Sequence, residues 1–369
     1  MTGRTRFLTS LTGGQPDRFF RYEHGAWPQT AERWRAEAGP GAEAIQPYDQ
    51  SGAYFGMDPL VRIMMNSGYT DSPYHPKLTE RTLEETEKHR IYVDADGVTK
   101  KELSHDRETS MPQFISFPVT DRADWDVIRT RLNPDDADLR IGDIERLAKL
   151  CSDPQVPTLL PMCGAYGHPR NLLGAEGLAY VLYDAPGLLE EILDNWLELY
   201  HALVERLTAH VRVDAVLIWE DMCYRSGPLI DPEHFRRFML PRCKDLVRFA
   251  KSSGVRAVIV DTDGDCRKMI PLFLEAGVDC LMPFEVQAGM DVVAIAQEFP
   301  GLSIMGGLDK RVLAGESRAA IRAEVDRVLP FFLERGGYIP TLDHTVPPNV
   351  SLASYRYYLD CVRSFEDGR

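Results

Sequence analysis

Three carboxylates follow one apolar run near the middle of the chain, where residues 255–265 read Val-Arg-Ala-Val-Ile-Val-Asp-Thr-Asp-Gly-Asp. Side chains alternate along a strand, so Asp261 and Asp263 are expected to project to the same side where the predicted strand ends. Two carboxylates about 6–7 Å apart on one strand face are costly to bury without a cation, a proton or a donor-rich ligand. An acid in this position can also cap the next helix. The stretch therefore predicts either a metal or ligand site or a capping and hydrogen-bonding role.

Polar residues also follow four other apolar runs of the sequence. They are Glu220-Asp221, Glu285, Asp309-Lys310 and Asp343-His344. Parallel α/β proteins, above all (β/α) barrels, place their chemistry at the carboxyl ends of their strands. From residue 141 onward, helical patterns alternate with the apolar runs. The sequence therefore predicts an α/β fold, a (β/α)8 TIM-type barrel whose main repeats occupy residues 111–369.

Residues 1–110 have a different pattern, and we expect them to form an N-terminal cap over one mouth of the barrel. Residues 17–24 are a candidate first strand, and residues 27–37 have helical spacing. Residues 90–104 alternate around Asp96-Gly97, which predicts a β-hairpin. The chain shows no low-complexity tract and no linker, so residues 1–369 are predicted to be a single domain.

Composition limits the classes of function. The chain has 369 residues, 44% hydrophobic and 27% charged, with a net charge of −14, which is typical of a globular protein with a full-sized core. The acidic balance and the lack of a basic patch argue against nucleic acid and anionic membranes as partners. No signal peptide or membrane-spanning run is recognisable, and the seven scattered cysteines predict a cytoplasmic protein with reduced thiols. Glycine-rich nucleotide-binding motifs are absent, which argues against a doubly wound sheet.

Several residues outside the central stretch are candidate substrate contacts because they follow predicted strands. Arg170 is a possible clamp for an anionic substrate or a partner in a salt bridge. Glu220 and its neighbour Asp221 cannot both face inward, because adjacent strand residues alternate. The complete set of substrate-binding candidates is Glu23, His24, His168, Arg170, Glu220 and Tyr224.

The chain resembles the uroporphyrinogen decarboxylase and methylcobamide methyltransferase superfamily, as a divergent member. The similarity is carried by Trp-Glu-Asp-Met-Cys-Tyr-Arg-Ser-Gly at 219–227, Pro-Glu-His-Phe-Arg-Arg-Phe-Met-Leu-Pro at 232–241, Asp-Thr-Asp-Gly-Asp at 261–265, Gly-Gly-Leu-Asp-Lys at 306–310 and Asp-His-Thr-Val-Pro-Pro-Asn at 343–349. The resemblance implies a (β/α)8 barrel with its site at the carboxyl mouth. It also implies a homodimer, which is the habit of the family.

One branch of the superfamily transfers methyl groups, with zinc held by a His-x-Cys pair and a later Cys. The matching positions here are Asp261, Asp263 and His344, which are harder ligands suited to zinc, iron(II), manganese or magnesium. The resemblance thus implies a metal-assisted methyltransferase that acts on a small substrate, with a corrinoid methyl donor and a corrinoid protein as partner. Its catalytic residues would be Asp263, Glu285 and His344, with Glu285 handling a proton.

The other branch removes carboxyl groups from a porphyrinogen. Its N-terminal Arg-Gln-Ala-Gly-Arg-Tyr motif is replaced here by the acidic and aromatic residues 21–27, although His344 matches a histidine of the decarboxylases. The alternative function is therefore a carboxy-lyase that acts on a porphyrinogen or another carboxylic acid without a cofactor. A non-catalytic corrinoid or tetrapyrrole carrier is a third hypothesis, and five acid-tipped strands argue against it.

Overall fold

The computed structural model describes residues 1–48, 52–69, 71–104 and 112–366. Its strands are β1 Val61–Arg62, β2 Arg81–Glu85, β3 His89–Val93, β4 Thr99–Leu103, β5 Gln113–Ser116, β6 Thr158–Cys163, β7 Ala215–Trp219, β8 Cys223–Tyr224, β9 Gly227–Pro228, β10 Ala257–Thr262, β11 Cys280–Pro283, β12 Ser303–Met305 and β13 Tyr338–Ile339.

The α-helices are α1 Gly3–Leu11, α2 Pro28–Ala38, α3 Arg122–Ile128, α4 Ala137–Ile141, α5 Ile144–Leu150, α6 Gly167–Asp184, α7 Pro186–Thr208, α8 Pro232–His234, α9 Leu240–Ser252, α10 Ile270–Ala276, α11 Val292–Glu298, α12 Arg311–Ala314, α13 Arg318–Arg335 and α14 Leu352–Arg363. A π-helical turn, Phe235–Met239, joins α8 to α9. None of the helices in the described ranges is long and apolar enough to span a lipid bilayer.

The centre of the molecule is a curled sheet of seven parallel strands in the order β1-β6-β7-β10-β11-β12-β13. Almost every residue of β6, β7, β10 and β11 is buried, as expected for parallel strands covered on both faces. The predicted α/β fold is confirmed as a curled, TIM-like sheet of seven parallel strands. Full closure into eight strands remains a prediction.

Residues 17–24, the candidate first strand, form no strand ladder. Just after this segment, Ala26 forms an isolated β-bridge with Val346. On one side the Arg21 carbonyl accepts a hydrogen bond of 2.9 Å from the Asp58 amide, and on the other the Gly25 carbonyl accepts one of 3.0 Å from the Val346 amide. The segment therefore lies between the two ends of the sheet with isolated hydrogen bonds in place of regular pairing.

The predicted hairpin at 90–104 is present as β3 and β4. It belongs to a four-stranded antiparallel sheet, β2-β3-β4-β5, whose outer strands the sequence did not indicate. β2 is exposed throughout and β5 is too, so neither carries the alternating pattern that reveals a half-buried strand. The predicted boundary between the N-terminal part and the main repeats, at residues 110 and 111, lies outside the described residues.

Alternation along the strands separates two apolar layers. Ala257 and Ile259 of β10 pack in an inner cluster with Leu217, Met282 and residues of α1, while Val258 and Val260 belong to the larger layer beneath the helices. Phe7 and Leu11 of α1 are fully buried in the inner cluster. The inner face of the curled sheet is therefore filled by side chains, and the next inward position along β10 after Ile259 is Asp261.

Candidate active site at the carboxyl ends of the strands

A cavity of about 610 Å³ lies where the inward-facing side chains of the strands end. Leu217, Asp261 and Met282 line it from three neighbouring strands, and Tyr22 and His24 line it from the extended N-terminal segment. The volume is in the usual range for a site that binds a small molecule, roughly 300–1,000 Å³. The position agrees with the rule that parallel α/β proteins bind ligands at the carboxyl ends of their strands.

Asp261 faces this cavity as the predicted alternation requires. Burial raises the pKa of Asp261 to about 7, and the negative charge of nearby Asp263 adds to the effect. Its backbone carbonyl accepts hydrogen bonds from the amides of Glu220 and Asp221, at 2.9 and 3.3 Å. The backbone of β10 is thus fixed to the end of β7, which holds the Asp261 carboxyl at the cavity wall.

Asp263, Glu285 and His344 meet beside the cavity. One potential ligand atom from each of the three side chains lies within 4.8 Å of the other two, and all three side chains are half-buried. The Nε2 atom of His344 lies 3.4 Å from Oδ2 of Asp263. Burial disfavours the charged form of both side chains. The hydrogen bond and opposite charges of the pair outweigh this effect, so the pKa of Asp263 is lowered and the pKa of His344 is raised.

Glu285 is held in place by backbone contacts at the end of β10. Its Oε2 atom accepts a hydrogen bond of 3.0 Å from the Gly264 amide. Gly264 has a φ of +72°, and a Cβ there would lie 2.6 Å from the backbone of Tyr224. Glycine is therefore required in the turn that presents this amide to Glu285.

Asp343 and Lys310 form a buried layer behind Glu285. The Asp343 side chain is completely buried and accepts hydrogen bonds from the amides of Val286 and Lys310, at 3.0 and 3.1 Å. The Lys310 ammonium lies 3.4 Å from Oδ1 of Asp343 and 3.9 Å from Oε1 of Glu285. These contacts fix the loop that carries Glu285 and balance part of the negative charge.

The chemistry of the three donors fits a divalent cation. His344 Nε2 and Asp263 Oδ2 are 3.4 Å apart, and a carboxylate oxygen of Glu285 lies within 4.8 Å of the potential ligand atoms of both residues. Two carboxylates and one imidazole suit zinc or a harder ion such as manganese or magnesium. All seven cysteines are buried as free thiols, and none belongs to this group.

The structure groups the predicted ligands differently from the sequence analysis. Asp263 and His344 lie in the three-residue group, together with Glu285, for which we expected a proton-transfer role. Asp261 lines the adjacent cavity and is not one of the three. Of the predicted substrate contacts, His24 lines the cavity as well, and its Nε2 atom is buried without a hydrogen-bond partner among the described residues.

Glu220 is bound to the start of α6. Its carboxylate accepts hydrogen bonds from the amides of Ala165, Tyr166 and Gly167, at 3.0, 2.7 and 3.1 Å. A Cβ on Gly164 would lie 2.2 Å from the same carboxylate group. Burial raises the pKa of Glu220 to about 7 in spite of these amides. The arrangement satisfies the free amides at a helix N-terminus.

The other four predicted contacts lie away from the cavity lining. Glu23 accepts a 2.7 Å hydrogen bond from the Tyr358 hydroxyl. His168 is buried in the first turn of α6, and burial lowers its pKa to about 4. Arg170 forms a 2.7 Å ion pair with Asp221. Tyr224 is 66% exposed on β8.

Arg62, Tyr22 and Tyr69 also line the cavity, and sequence reasoning did not select them. Arg62 lies on β1, a strand of only two residues, inside a stretch that shows no clean periodicity. The available signal was a single arginine within the apolar segment Leu-Val-Arg-Ile-Met at 60–64. A cation inside an apolar run usually indicates either a buried pair or a ligand contact.

Together, the curled parallel sheet and a polar group at its carboxyl end define an enzyme-like α/β protein of the TIM type. The chain matches the model of the uroporphyrinogen decarboxylase (URO-D) family over residues 105–365, and it therefore belongs to that family. The membership that the sequence motifs indicated is confirmed. A search of curated proteins finds no match.

Among solved structures, the chain is similar to a methyltransferase from Methanosarcina mazei, with a TM-score of 0.66 and 16% identity over 99% of both chains. It is also similar to a B12-independent methionine synthase from Shewanella sp. W3-18-1, with a TM-score of 0.39 and 12% identity over 61% of this chain and 65% of the other. The first similarity shows a shared fold over the matched 99% of this chain, and the second is too weak to support an argument.

Proposed function

We propose that this chain is a metal-dependent methyltransferase that transfers a methyl group between a corrinoid and a small substrate. Asp263, Glu285 and His344 would hold the cation. The observation that carries the proposal is the convergence of their three potential ligand atoms, within 4.8 Å of one another, beside a cavity of about 610 Å³. The similarity in fold to the Methanosarcina mazei methyltransferase over 99% of both chains supports methyl transfer as the reaction.

A bound divalent cation would supply Lewis acidity, lowering the pKa of a substrate hydroxyl or amine. The chain itself provides orientation and shelter from water. Lys310 and Asp343 hold the Glu285 loop in place, and Leu217 and Met282 form an apolar wall of the cavity. Asp261 is the carboxyl group that faces the cavity, so it is our candidate for direct contact with the substrate.

The charge of the cavity favours a small substrate over a porphyrinogen. A tetrapyrrole with up to eight carboxylates would need several arginines, because guanidinium groups bind carboxylates in paired hydrogen bonds. Arg62 is the one arginine or lysine that lines the cavity in the described part of the chain. The proposed methyl donor or acceptor is a corrinoid carried by a partner protein, which would dock over the open mouth.

A carboxy-lyase acting on a smaller carboxylic acid is the second candidate. It is favoured by one observation, the presence of Arg62 in the same cavity as Asp261. An arginine can bind a substrate carboxylate without a metal, and the protonated form of Asp261, whose pKa burial raises to about 7, can donate the proton that the substrate carbon takes up as carbon dioxide leaves. In this interpretation the Asp263–His344 contact serves as an ion pair that supports the cavity wall.

The experiment combines purified protein, methylcobalamin and a panel of small alcohols, amines and acids, and follows the cobalamin absorbance. We expect demethylation that requires zinc, manganese or magnesium and falls at least a hundred-fold in Asp263→Asn and His344→Gln. Glu298→Gln, an exposed acid on α11, serves as the control and should remain active. Full activity after removal of cations would contradict the proposal, and cation-independent release of carbon dioxide would favour the carboxy-lyase.

A further inference from the structure

We propose that Arg62 forms an anion-binding subsite that holds a single carboxylate of the substrate, so the substrate is a small monocarboxylic acid with an apolar body. This inference rests on the proposed function, because it names the class of molecule that occupies the same cavity. It would also apply to the second candidate function, since a carboxy-lyase must bind an acid as well.

The backbone of Arg62 is rigidly placed at the cavity wall. β1 pairs in parallel with β6, with Arg62 opposite Leu159. The flanking amides of Val61 and Ile63 donate hydrogen bonds of 3.0 and 2.8 Å to the carbonyls of Pro157 and Leu159. A guanidinium on such a strand can recognise a ligand with little loss of conformational freedom.

Within the described residues, Arg62 lacks both the acidic partner that Arg18 and Arg170 have and the three backbone carbonyl partners that buried Arg140 has. Arg18 lies 2.6 Å from Asp58, and Arg170 lies 2.7 Å from Asp221. Arg62 is half-buried, yet within the described residues no carboxylate lies in ion-pair contact with it. Its guanidinium lies 5.3 Å from the centroid of the Tyr69 ring and hydrogen-bonds to that side chain. A partly buried cation without an acidic partner is destabilising. The remaining N–H donors of the Arg62 guanidinium are arranged to bind a carboxylate.

His24 supplies a second, independent indication of a ligand. It is 8% exposed, it lines the same cavity, and its Nε2 atom has no hydrogen-bond partner among the described residues. The ring lies between Tyr22 and His344, at centroid distances of 5.8 and 6.5 Å. A buried polar atom left unpaired is destabilising, so a polar group of the substrate is expected to pair with it.

The other residues that line the cavity indicate the character of the part of the substrate that carries the carboxylate. Leu60, Met64, Leu217 and Met282 are apolar, and Tyr48 adds an aromatic surface. Arg62 is the one arginine or lysine in the described lining, so a second carboxylate would lack a cationic partner there. The lining therefore favours one carboxylate on an apolar body, as in an aromatic or short aliphatic monoacid that also carries the hydroxyl or amine at which methyl transfer is proposed.

The test is isothermal titration calorimetry with formate, acetate, butyrate and benzoate, each compared with its neutral amide. It uses the full-length protein with a chelator present and without corrinoid, so it does not depend on catalysis. We expect at least one acid to bind ten-fold or more tightly than its amide. Arg62→Gln should abolish this preference, Arg62→Lys should keep part of it, and Arg146→Gln, an exposed arginine on α5, should leave it unchanged.

Three results would overturn the inference: no binding of any acid in the series, equal binding of acids and amides, or a preference that persists in Arg62→Gln. A thermal melt of each variant shows whether it is folded, and Arg62→Lys provides a second variant if Arg62→Gln unfolds. Acid binding without methyl transfer would refute the proposed function alone. Methyl transfer to a neutral substrate without acid binding would refute the subsite alone.

Discussion

His344 Nε2 lies 3.4 Å from Asp263 Oδ2, although the two residues follow strands at different positions in the sheet. Asp263 comes just after β10, and His344 comes after β13, with β11 and β12 between those strands in the sheet. Because the sheet curls, the carboxyl ends of β10 and β13 approach each other, and Glu285, which follows β11, completes the group. The contact therefore depends on the whole curved sheet rather than on a local motif.

The first prediction separates Asp261 from the three-residue group. Because Asp261 lines the cavity and lies outside that group, Asp261→Asn should still bind one cation per chain but lose at least ten-fold in turnover. Asp263→Asn should lose both the bound cation and the turnover. Cation content by elemental analysis and the methyl-transfer rate are measured on the same samples. Loss of the cation in Asp261→Asn would show that Asp261 is a ligand.

The second prediction concerns Glu220 as a structural residue. Glu220→Ala leaves three buried amides at the start of α6 without an acceptor, which should cost about 2–4 kcal/mol of unfolding free energy. Urea denaturation measures this loss, and Glu298→Gln is the surface control. A change below about 1 kcal/mol would contradict the structural role.

The third prediction is a pH-dependent stability effect at Glu23. Burial raises the pKa of Glu23 from 4.5 to about 8, so between these values the folded protein keeps a proton that the unfolded chain releases. Stability contributed by this group therefore falls as the pH rises through that window, by about 1.4 kcal/mol for each pKa unit of difference. Glu23→Gln does not titrate, so its Tm should rise relative to the unaltered protein between about pH 5 and about pH 8.

Thermal melts across this range test the prediction at Glu23. Glu298→Gln is melted in parallel as the surface control. A constant offset between the Tm values of Glu23→Gln and the unaltered protein would show that Glu23 is ionised throughout the range, contrary to its burial against Tyr358 and Leu342.

The fourth prediction concerns the ammonium group behind Glu285. Lys310 Nζ lies 3.9 Å from Glu285 Oε1, so it repels a cation bound there. The hydrogen bonds from the amides of Gly264, Val286 and Lys310 do not use the lysine side chain, so we expect them to hold the Glu285 loop in the variant. Lys310→Met should therefore tighten zinc or manganese binding by about three- to ten-fold while lowering the Tm, because buried Asp343 loses its counter-charge. Calorimetric titration measures the affinity, with Lys244→Met, a change at an exposed lysine on α9, as the control. Weaker binding in Lys310→Met would contradict this prediction.

The strand-end residues were predictable because alternation and parallel pairing are encoded locally. The apolar run before Asp261, and those before Glu285 and His344, identified the polar end of the sheet without any structure. The grouping was not predictable, since curvature of the sheet determines that Glu285 and not Asp261 joins Asp263 and His344. Arg62 was missed because a strand of two residues has no period, and the capping contacts of Glu220 depend on a turn after β6 that no spacing reveals.

The most direct test of the central claim measures cation content and methyl transfer together, in the unaltered protein and in an Asp263→Asn/His344→Gln double variant. We expect about one zinc, manganese or magnesium ion per chain and cation-dependent demethylation of methylcobalamin, both absent from the folded double variant. Glu298→Gln should resemble the unaltered protein. Methyl transfer by cation-free protein, or a full cation complement in the double variant, would contradict the claim that this site holds the catalytic metal.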